Sequence, residues 1–341
     1  MFVDLRSDTF TKPTPEMREM MKNAEVGDDV FGEDPTVNRL QEEVADLLGK
    51  EAGLFVASGV MGNQVAVNAH TQPGDEVILE KNAHIFYYEA GAPAMLSGVQ
   101  LLTIPGEKGI LSAQSIEKAL RPANVHFPPT RLICLENTHN RAGGKIYPLD
   151  ELKKIHKLAK KNNLKMHLDG ARLWNASVAT GISLKEYAKY FDSVMVCFSK
   201  GLGAPVGSMV IGSKEYINIA HRYRKIYGGG MRQAGIIAAG ALYAVNNNIK
   251  KLSRDHENAR KLAEGFNSVE GFSVDMDTVE TNIVMVNIDK NFLTAEQVVA
   301  KLKKHNVFIL SVGRQRLRAV THLDVDSSNI EHAVEIIKTS L

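Results

Sequence analysis

The sequence predicts an α/β chain: a large domain built on a mostly parallel sheet, with a small α+β domain at the C-terminal end. Three observations predict it. Between residues 54 and 212, short apolar runs of strand length alternate with helix-sized segments, the pattern of strand–helix–strand crossovers. Two of these runs, 164–168 and 194–198, each end near a residue that carries chemistry, Asp169 and Lys200, with one helix-sized segment between them, as adjacent parallel strands require. From about residue 246 a long charged helix leads into a second, shorter alternation of strands and helices. The chain is accordingly divided into 1–245 and 246–341.

Composition narrows the function classes. A chain of 341 residues, 44% of them hydrophobic, can bury a sizeable core. A formal net charge of +2 leaves no electrostatic footprint for nucleic acid or an anionic membrane. No apolar run approaches membrane-spanning length, and the start, MFVDLRSDTF, carries a charge at Asp4 and lacks an apolar signal core. Cys134 and Cys197 lie in apolar strand-like runs, which suits small buried hydrophobes better than a disulfide or metal pair and suggests a reducing, cytoplasmic setting. There is no tandem repeat and no low-complexity tract.

The elements follow in order. Residues 1–35 read as an arm kept extended by Pro13 and Pro15, with a short helix over 15–23 and an acidic loop over 27–35 that looks like a solvated turn. A helix over 36–48 carries Val37, Leu40, Val44, Leu47 and Leu48 on one stripe and stops at Gly49. Strands are expected over 54–56, 76–79, 132–135, 164–168 and 194–198, with a return strand over 208–212. Helices are expected beyond the small-residue stretch 58–64 to about His70, over 149–162 with Leu152, Ile155, Leu158 and Ala159 inward, over 174–181 and over 214–226. The glycines 228–230 break the chain, and a long helix restarts at Met231. Beyond it come a charged helix over 246–269, strands over 281–288, 307–310 and 317–321, and helices over 295–305 and 328–341.

The chemistry starts from Lys200. A lysine at the mouth of a buried strand is costly unless paired or used. An amine in apolar surroundings can condense with an aldehyde, although a snorkelling surface lysine just past a strand end has the same look. Asp169 tips the balance. Pyridoxal phosphate needs a lysine to hold its aldehyde and an acid to keep its ring nitrogen protonated. Neighbouring parallel strands would place both at the crevice beyond their C-terminal ends. Ser58 and Gly59 leave N–H groups free at a positive helix end, which suits a phosphate and equally an ordinary tight turn. His84 could stack on a flat ring, move a proton, or be structural. The basic residues around 221–232 could bind an anion or simply be solvated.

Nine stretches carry a likeness to a known family: DLRSDTFTKPT, EVGDDVFGEDP, FVASGVMGNQ, HIFYYEAG, ENTHNRAGG, HLDGARLWNA, CFSKGLGAPVG, YGGGMRQAG and LRAVTHLDV, in order from Asp4 to about Val325. With them the chain resembles the threonine aldolases, pyridoxal-phosphate enzymes that cleave β-hydroxy-α-amino acids. The resemblance implies an aspartate-aminotransferase-like fold, the type I fold of such enzymes. It implies that Lys200 holds the cofactor covalently, that Asp169 pairs with the ring nitrogen, and that Arg172 lies near the phenolic oxygen or the substrate carboxylate. Ser58, Gly59, Val60 and Ser199 would surround the phosphate. The family usually has threonine where this chain has Val60, so only a backbone donor is kept there. His84 would stack on the ring and, with His126, handle the substrate hydroxyl directly or through a water. Ser7, Arg172 and Arg318 would hold the α-carboxylate, whose planar shape suits a bidentate arginine. Lys225 and Arg232 would reach a phosphate in the neighbouring subunit, so a homo-oligomer is implied, a dimer or a dimer of dimers with shared active sites. Phe31 stands where relatives often carry tyrosine, so a hydroxyl role is absent. No metal belongs to the implied set.

The implied reaction is cleavage of L-threonine or L-allo-threonine to glycine and an aldehyde. Two alternatives stand beside it. Another enzyme of the same fold, such as a β-eliminating lyase or a transaminase, would share Asp169 and Lys200. A nucleotide-binding α/β protein is disfavoured, because no GxGxxG follows an early strand and there is no P-loop.

Overall fold

The computed structural model describes residues 1–341. Before residue 213 the strands are β1 (Val3–Asp4), β2 (Ala52–Val56), β3 (Glu76–Glu80), β4 (Gln100–Ile104), β5 (Thr130–Glu136), β6 (Lys165–Gly170), β7 (Ser193–Cys197) and β8 (Ser208–Gly212). Seven of them form one sheet in the order β2-β8-β7-β6-β5-β3-β4. Only β8 runs against the rest, antiparallel to β2 and β7; β7, β6, β5, β3 and β4 are parallel to one another. Strands β3, β7 and β8 are buried at every position. That is why their centres read as unbroken apolar runs: helices cover both faces of the sheet and no face is left for polar alternation.

The helices follow from local chemistry. Pro35–Leu48 starts on the Asp34 side chain, which accepts from the Val37 N–H, and stops at Gly49, whose φ of 62° only glycine adopts freely. Leu149–Lys161 buries Leu152, Ile155, Leu158 and Ala159, the stripe expected from the sequence. Lys214–Ile226 has the predicted bounds.

Several expectations need correction. Strand β4 and the helix Ala113–Ala119 had no sequence signal. β4 is an edge strand with no fully buried position, so it lacks the apolar run that marks its neighbours. The helix expected to restart at Met231 begins at Gly235, whose N–H is held by Asp34 Oδ2 at 2.8 Å. A Cβ on Gly235 would lie 2.5 Å from Asp34 Oδ1, so this approach needs glycine. The acidic loop is not a solvated turn: Asp34 is buried as a helix cap, and Asp29 is buried beside Arg224. Arg224 likewise does not lie on a solvated basic face.

The C-terminal part carries β9 (Phe272–Ser273), β10 (Ile283–Ile288), β11 (Val307–Phe308), β12 (Leu310–Gly313) and β13 (Arg316–Val320). An antiparallel sheet in the order β12-β13-β10-β9 is backed by the helices Leu252–Asn267, Ala295–Lys304 and Ser327–Ser340. The predicted charged helix is thus Leu252–Asn267, preceded by a single turn at Ile249–Lys251. The strand expected over 307–310 splits in two. Its first half, β11, pairs in parallel with β1 at the start of the chain. Val3 and Leu5 therefore pack in the C-terminal core, not in the 42-residue core around the large sheet. No helix is long and apolar enough to cross a membrane.

Candidate active site

Strands β6 and β7 end side by side, with Asp169 opposite Met195 in the register. The chain leaves β7 through Phe198 and Ser199 and bends at Lys200, whose carbonyl accepts from the Gly203 N–H at 2.8 Å. The Lys200 side chain is half-buried and enters no ion pair; its charge is felt at Asp8. Asp169 is buried and held on both oxygens: Asn63 Nδ2 donates to Oδ2 at 2.9 Å, and the Ala171 N–H to Oδ1 at 3.1 Å. A carboxylate so held cannot swing away.

The helix Gly59–His70 points its N-terminus at the same end of the sheet. Ser58 caps it, accepting from the Met61 N–H at 3.2 Å. Two glycines let it come close to β7: a Cβ on Gly59 would meet Cys197 Sγ at 2.8 Å, and one on Gly62 would meet Met195 Cγ at 2.6 Å. The N–H groups of the first turn are the free donors any helix start leaves, at the positive end of its dipole. The Val60 side chain adds no donor to its backbone N–H and is exposed.

His84 opens the short helix His84–Tyr87, and the Glu136 carboxylate accepts its backbone N–H at 2.7 Å. Its imidazole Nδ1 lies 2.9 Å from Glu89 Oε1. Burial works to lower its pKa, but the bond to Glu89 and the charges of Asp169, Glu89 and Glu136 outweigh burial and raise it. Tyr88 sits beside the ring, centroids 5.5 Å apart.

A second group gathers around Arg172, which is buried and grips Asp8 with both arms, Nε to Oδ2 at 2.8 Å and Nη2 to Oδ1 at 2.7 Å. Asn282 adds a third donor to Asp8 at 3.1 Å. The Arg172 fork is therefore committed to Asp8, and its remaining nitrogen, Nη1, is what it has left for a ligand. Arg318 differs. It lies near enough to Arg172 and Tyr88 to feel both, its Nε is buried without a partner, and burial pushes its pKa down to about 10. Ser7 neighbours Asp8 and caps the turn Asp8–Phe10.

Not every predicted residue joins this group. His126 lies in an exposed loop over 121–127 and makes no side-chain hydrogen bond to any of the others. Lys225 and Arg232 are exposed near the acidic loop, where Arg232 pairs with Asp28 at 2.8 Å. Phe31 is exposed on the same loop. Conversely, Asp8, Asn63, Gln64, Glu89, Glu136, His167 and Asn282 had no role in the reading from sequence. The one available signal was the pair Asn63-Gln64 directly before the apolar run 65–67, both of which are buried.

A family model described as beta-eliminating lyase matches residues 4–291. Low-specificity L-threonine aldolase 1 of Arabidopsis thaliana is 44% identical over 344 residues, covering 99% of this chain and 96% of its own length. The low specificity L-threonine aldolase of Escherichia coli K12 is 43% identical over 329 residues, with 96% of each chain covered. Among solved structures, a threonine aldolase from Leishmania major superposes with a TM-score of 0.83 at 21% identity, covering 98% of both chains. A putative L-allo-threonine aldolase from Listeria monocytogenes gives 0.81 at 23% identity, covering 95% of this chain and 92% of the other. The structural matches speak for the fold and the sequence matches for descent: the chain belongs to the beta-eliminating lyase family, in the group of the low-specificity L-threonine aldolases.

Proposed function

We propose that the protein cleaves L-threonine, L-allo-threonine and related β-hydroxy-α-amino acids to glycine and an aldehyde, with pyridoxal 5'-phosphate as cofactor. The observation that supports the reading is the placement of Asp169 on β6, Lys200 just past the end of the adjacent parallel strand β7, and the start of the helix Gly59–His70 close against β7. The residues fit the cofactor. Asp169 is fixed by two donors, Lys200 has no carboxylate partner, and Arg318 has a buried nitrogen without an acceptor. Lys200 would hold the aldehyde, Asp169 the ring nitrogen, His84 one ring face, and Ser58, Gly59, Val60 and Ser199 the phosphate. When bound, the cofactor supplies an electron-poor ring that takes up the electron pair of a breaking bond at Cα.

The chain's own residues do the rest. Arg318, with Ser7 and the free arm of Arg172, clamps the α-carboxylate and so fixes which bond at Cα stands across the ring. His84 accepts the β-hydroxyl proton, which releases the aldehyde. Lys225 and Arg232 serve a second copy's phosphate, and His126 acts from its exposed loop. Exposed Val125, Met95, Tyr87 and Phe31 support a homo-oligomer with shared sites, a dimer or a dimer of dimers. Buried, unpaired Cys134 and Cys197 support a reducing, cytoplasmic setting. We place the unit boundary near residue 245, with the first five residues of the arm serving the smaller unit.

Borohydride reduction of the cofactor-loaded protein, followed by peptide mass analysis, is expected to find the cofactor on Lys200, and Lys200→Ala is expected to release no glycine from threonine. An adduct on another lysine, or turnover by the variant, overturns the assignment. The family description also favours a second reading, β-elimination. Release of ammonia and a keto acid in place of glycine and an aldehyde would select it.

A further inference from the structure

We propose that Glu89 is the positioning residue of the site: it holds the His84 imidazole with Nδ1 inward, so that Nε2 faces the substrate and takes the β-hydroxyl proton. The proposal deepens the aldolase reading and rests on it.

Glu89 is only 2% exposed, and its carboxylate not at all, so its charge must be met inside the protein. Three groups meet it. His84 Nδ1 lies 2.9 Å from Oε1, Asn63 Nδ2 donates to the same oxygen at 2.8 Å, and Gln64 Nε2 donates to Oε2. Ala90 and Gly91, which follow, both have left-handed backbone, with φ of 54° and 75°. Glycine takes that conformation freely and alanine does not, so the turn that aims Glu89 inward is held at a cost.

The donors also decide what the cluster is. One atom each from His84, Glu89 and Asp169 lie within 4.8 Å of one another, close enough to suggest a cation cage. But the Asn63 amide sits between the two carboxylates and donates to both, to Glu89 at 2.8 Å and to Asp169 at 2.9 Å. Its own oxygen accepts from His167 Nε2 at 3.1 Å, and His167 Nδ1 meets Ser193 Oγ at 2.8 Å. N–H groups point where a cation would sit, so this is a hydrogen-bond relay. It ties Asp169, the acid that would hold the ring nitrogen, to the acid behind His84.

Burial and the Asp169 charge raise the Glu89 pKa against the bonds from His84 and Asn63; in its ionised form Glu89 accepts only, so the proton between it and a neutral His84 belongs on Nδ1, and the lone pair is left on Nε2. The step then balances. Nε2 gains the hydroxyl proton, the O–H electron pair becomes the second bond of the aldehyde carbonyl, and the Cα–Cβ pair stays with Cα. A later proton at Cα gives glycine. The carboxylates facing the pair are Asp169 from β6 and Glu136 from β5; the Cys134 thiol from β5, whose pKa burial raises, and the Tyr88 ring also border it. His167 is buried and its pKa is lowered to about 4, so it stays neutral.

The test uses the full-length protein labelled with ¹⁵N-histidine. In the wild type, neutral His84 is expected to show an Nδ1–H and a bare Nε2; the opposite tautomer overturns the proposal even if no variant folds. In Glu89→Gln the His84 pKa is expected to fall by about one unit or more, since a carboxylate within hydrogen-bond reach is lost. The acid limb of kcat/KM for threonine cleavage should move the same way. In a His84→Asn background, adding Glu89→Gln should change kcat less than twofold. An unmoved His84 pKa, or an equal loss of kcat with and without His84, overturns it. Tautomer and titration need no substrate, so they fail separately from the aldolase reading, which falls if the wild type releases no glycine.

Discussion

Two buried arginine–aspartate pairs tie the start of the chain to the large sheet, and they differ in quality. Arg172 and Asp8 meet through two aligned bonds, and Asp8 also receives Asn282. Arg224 and Asp29 approach to 2.9 Å, but Arg224 Nη1 donates its aligned hydrogen bond to the Phe55 carbonyl at 2.8 Å, and Asp29 Oδ2 is left without one. The consequences are opposite. Burial presses both carboxyls upward. At Asp8 the charge and bonds of Arg172, the charge of Lys200 and the Asn282 amide reverse it and hold the group well below the usual carboxylate range. At Asp29 burial wins and the pKa is raised. A buried ion pair is worth its desolvation only when alignment and extra donors are complete. The complete pair stands at the candidate active site, where position matters most; the incomplete one seats a loop.

The sharpest way to break this contrast is Asp8→Ala. It leaves Arg172 buried and unpaired, and unfolding by urea is expected to show a loss of about 3–5 kcal/mol, together with loss of threonine cleavage. A loss under 1 kcal/mol would mean that Arg172 finds another acceptor and that Asp8 does not hold it. Arg224→Met should cost less, about 1–2 kcal/mol, because Asp29 can take up a proton once its partner has gone. Asp29→Asn should be nearest to neutral, within about 0.5 kcal/mol at pH 7, since it removes a charge the fold already disfavours. If it cost as much as Asp8→Ala, the two pairs would be equivalent and the contrast would fail.

Acid sharpens the same comparison. The folded pKa of Asp8 lies below its unfolded value, so its contribution is present above the carboxylate range and is lost as pH falls from about 5. Asp29 has the opposite sign: its contribution is present at low pH and is lost as pH rises through its raised folded pKa. Stability curves of Asp8→Asn and Asp29→Asn, each subtracted from the wild type, should therefore slope in opposite directions between about pH 3 and 6. Parallel slopes would show that burial, not pairing, governs both groups.

What could be read before folding follows one rule. Lys200, Asp169 and Ser58 announce themselves because each ends a strand-like run or starts a helix, and periodicity marks such places. The stripe Leu152, Ile155, Leu158 and Ala159 shows itself for the same reason. Asp29 and Arg224 mislead: a run of acids and a run of bases look solvated when each is viewed alone, and only their meeting across the fold makes burial affordable. Glu89 was invisible because its partners are drawn from another helix: Asn63 is 26 residues before it and Gln64 is 25 before.

By itself, then, the order of residues determined the alternation of strands and helices, the parallel large sheet and the two strand tips that carry acid and amine. These are properties of nearest neighbours along the chain, repeated at periods of two or 3.6 residues. Tertiary structure alone decided that β1 would pair with β11, that Asp8 would close on Arg172, and that one Asn63 amide would join Glu89 to Asp169. Those outcomes depend on groups far apart in sequence being desolvated together. The free energy of a buried charge is set by whatever stands within a few ångströms of it, and no local pattern encodes that neighbour.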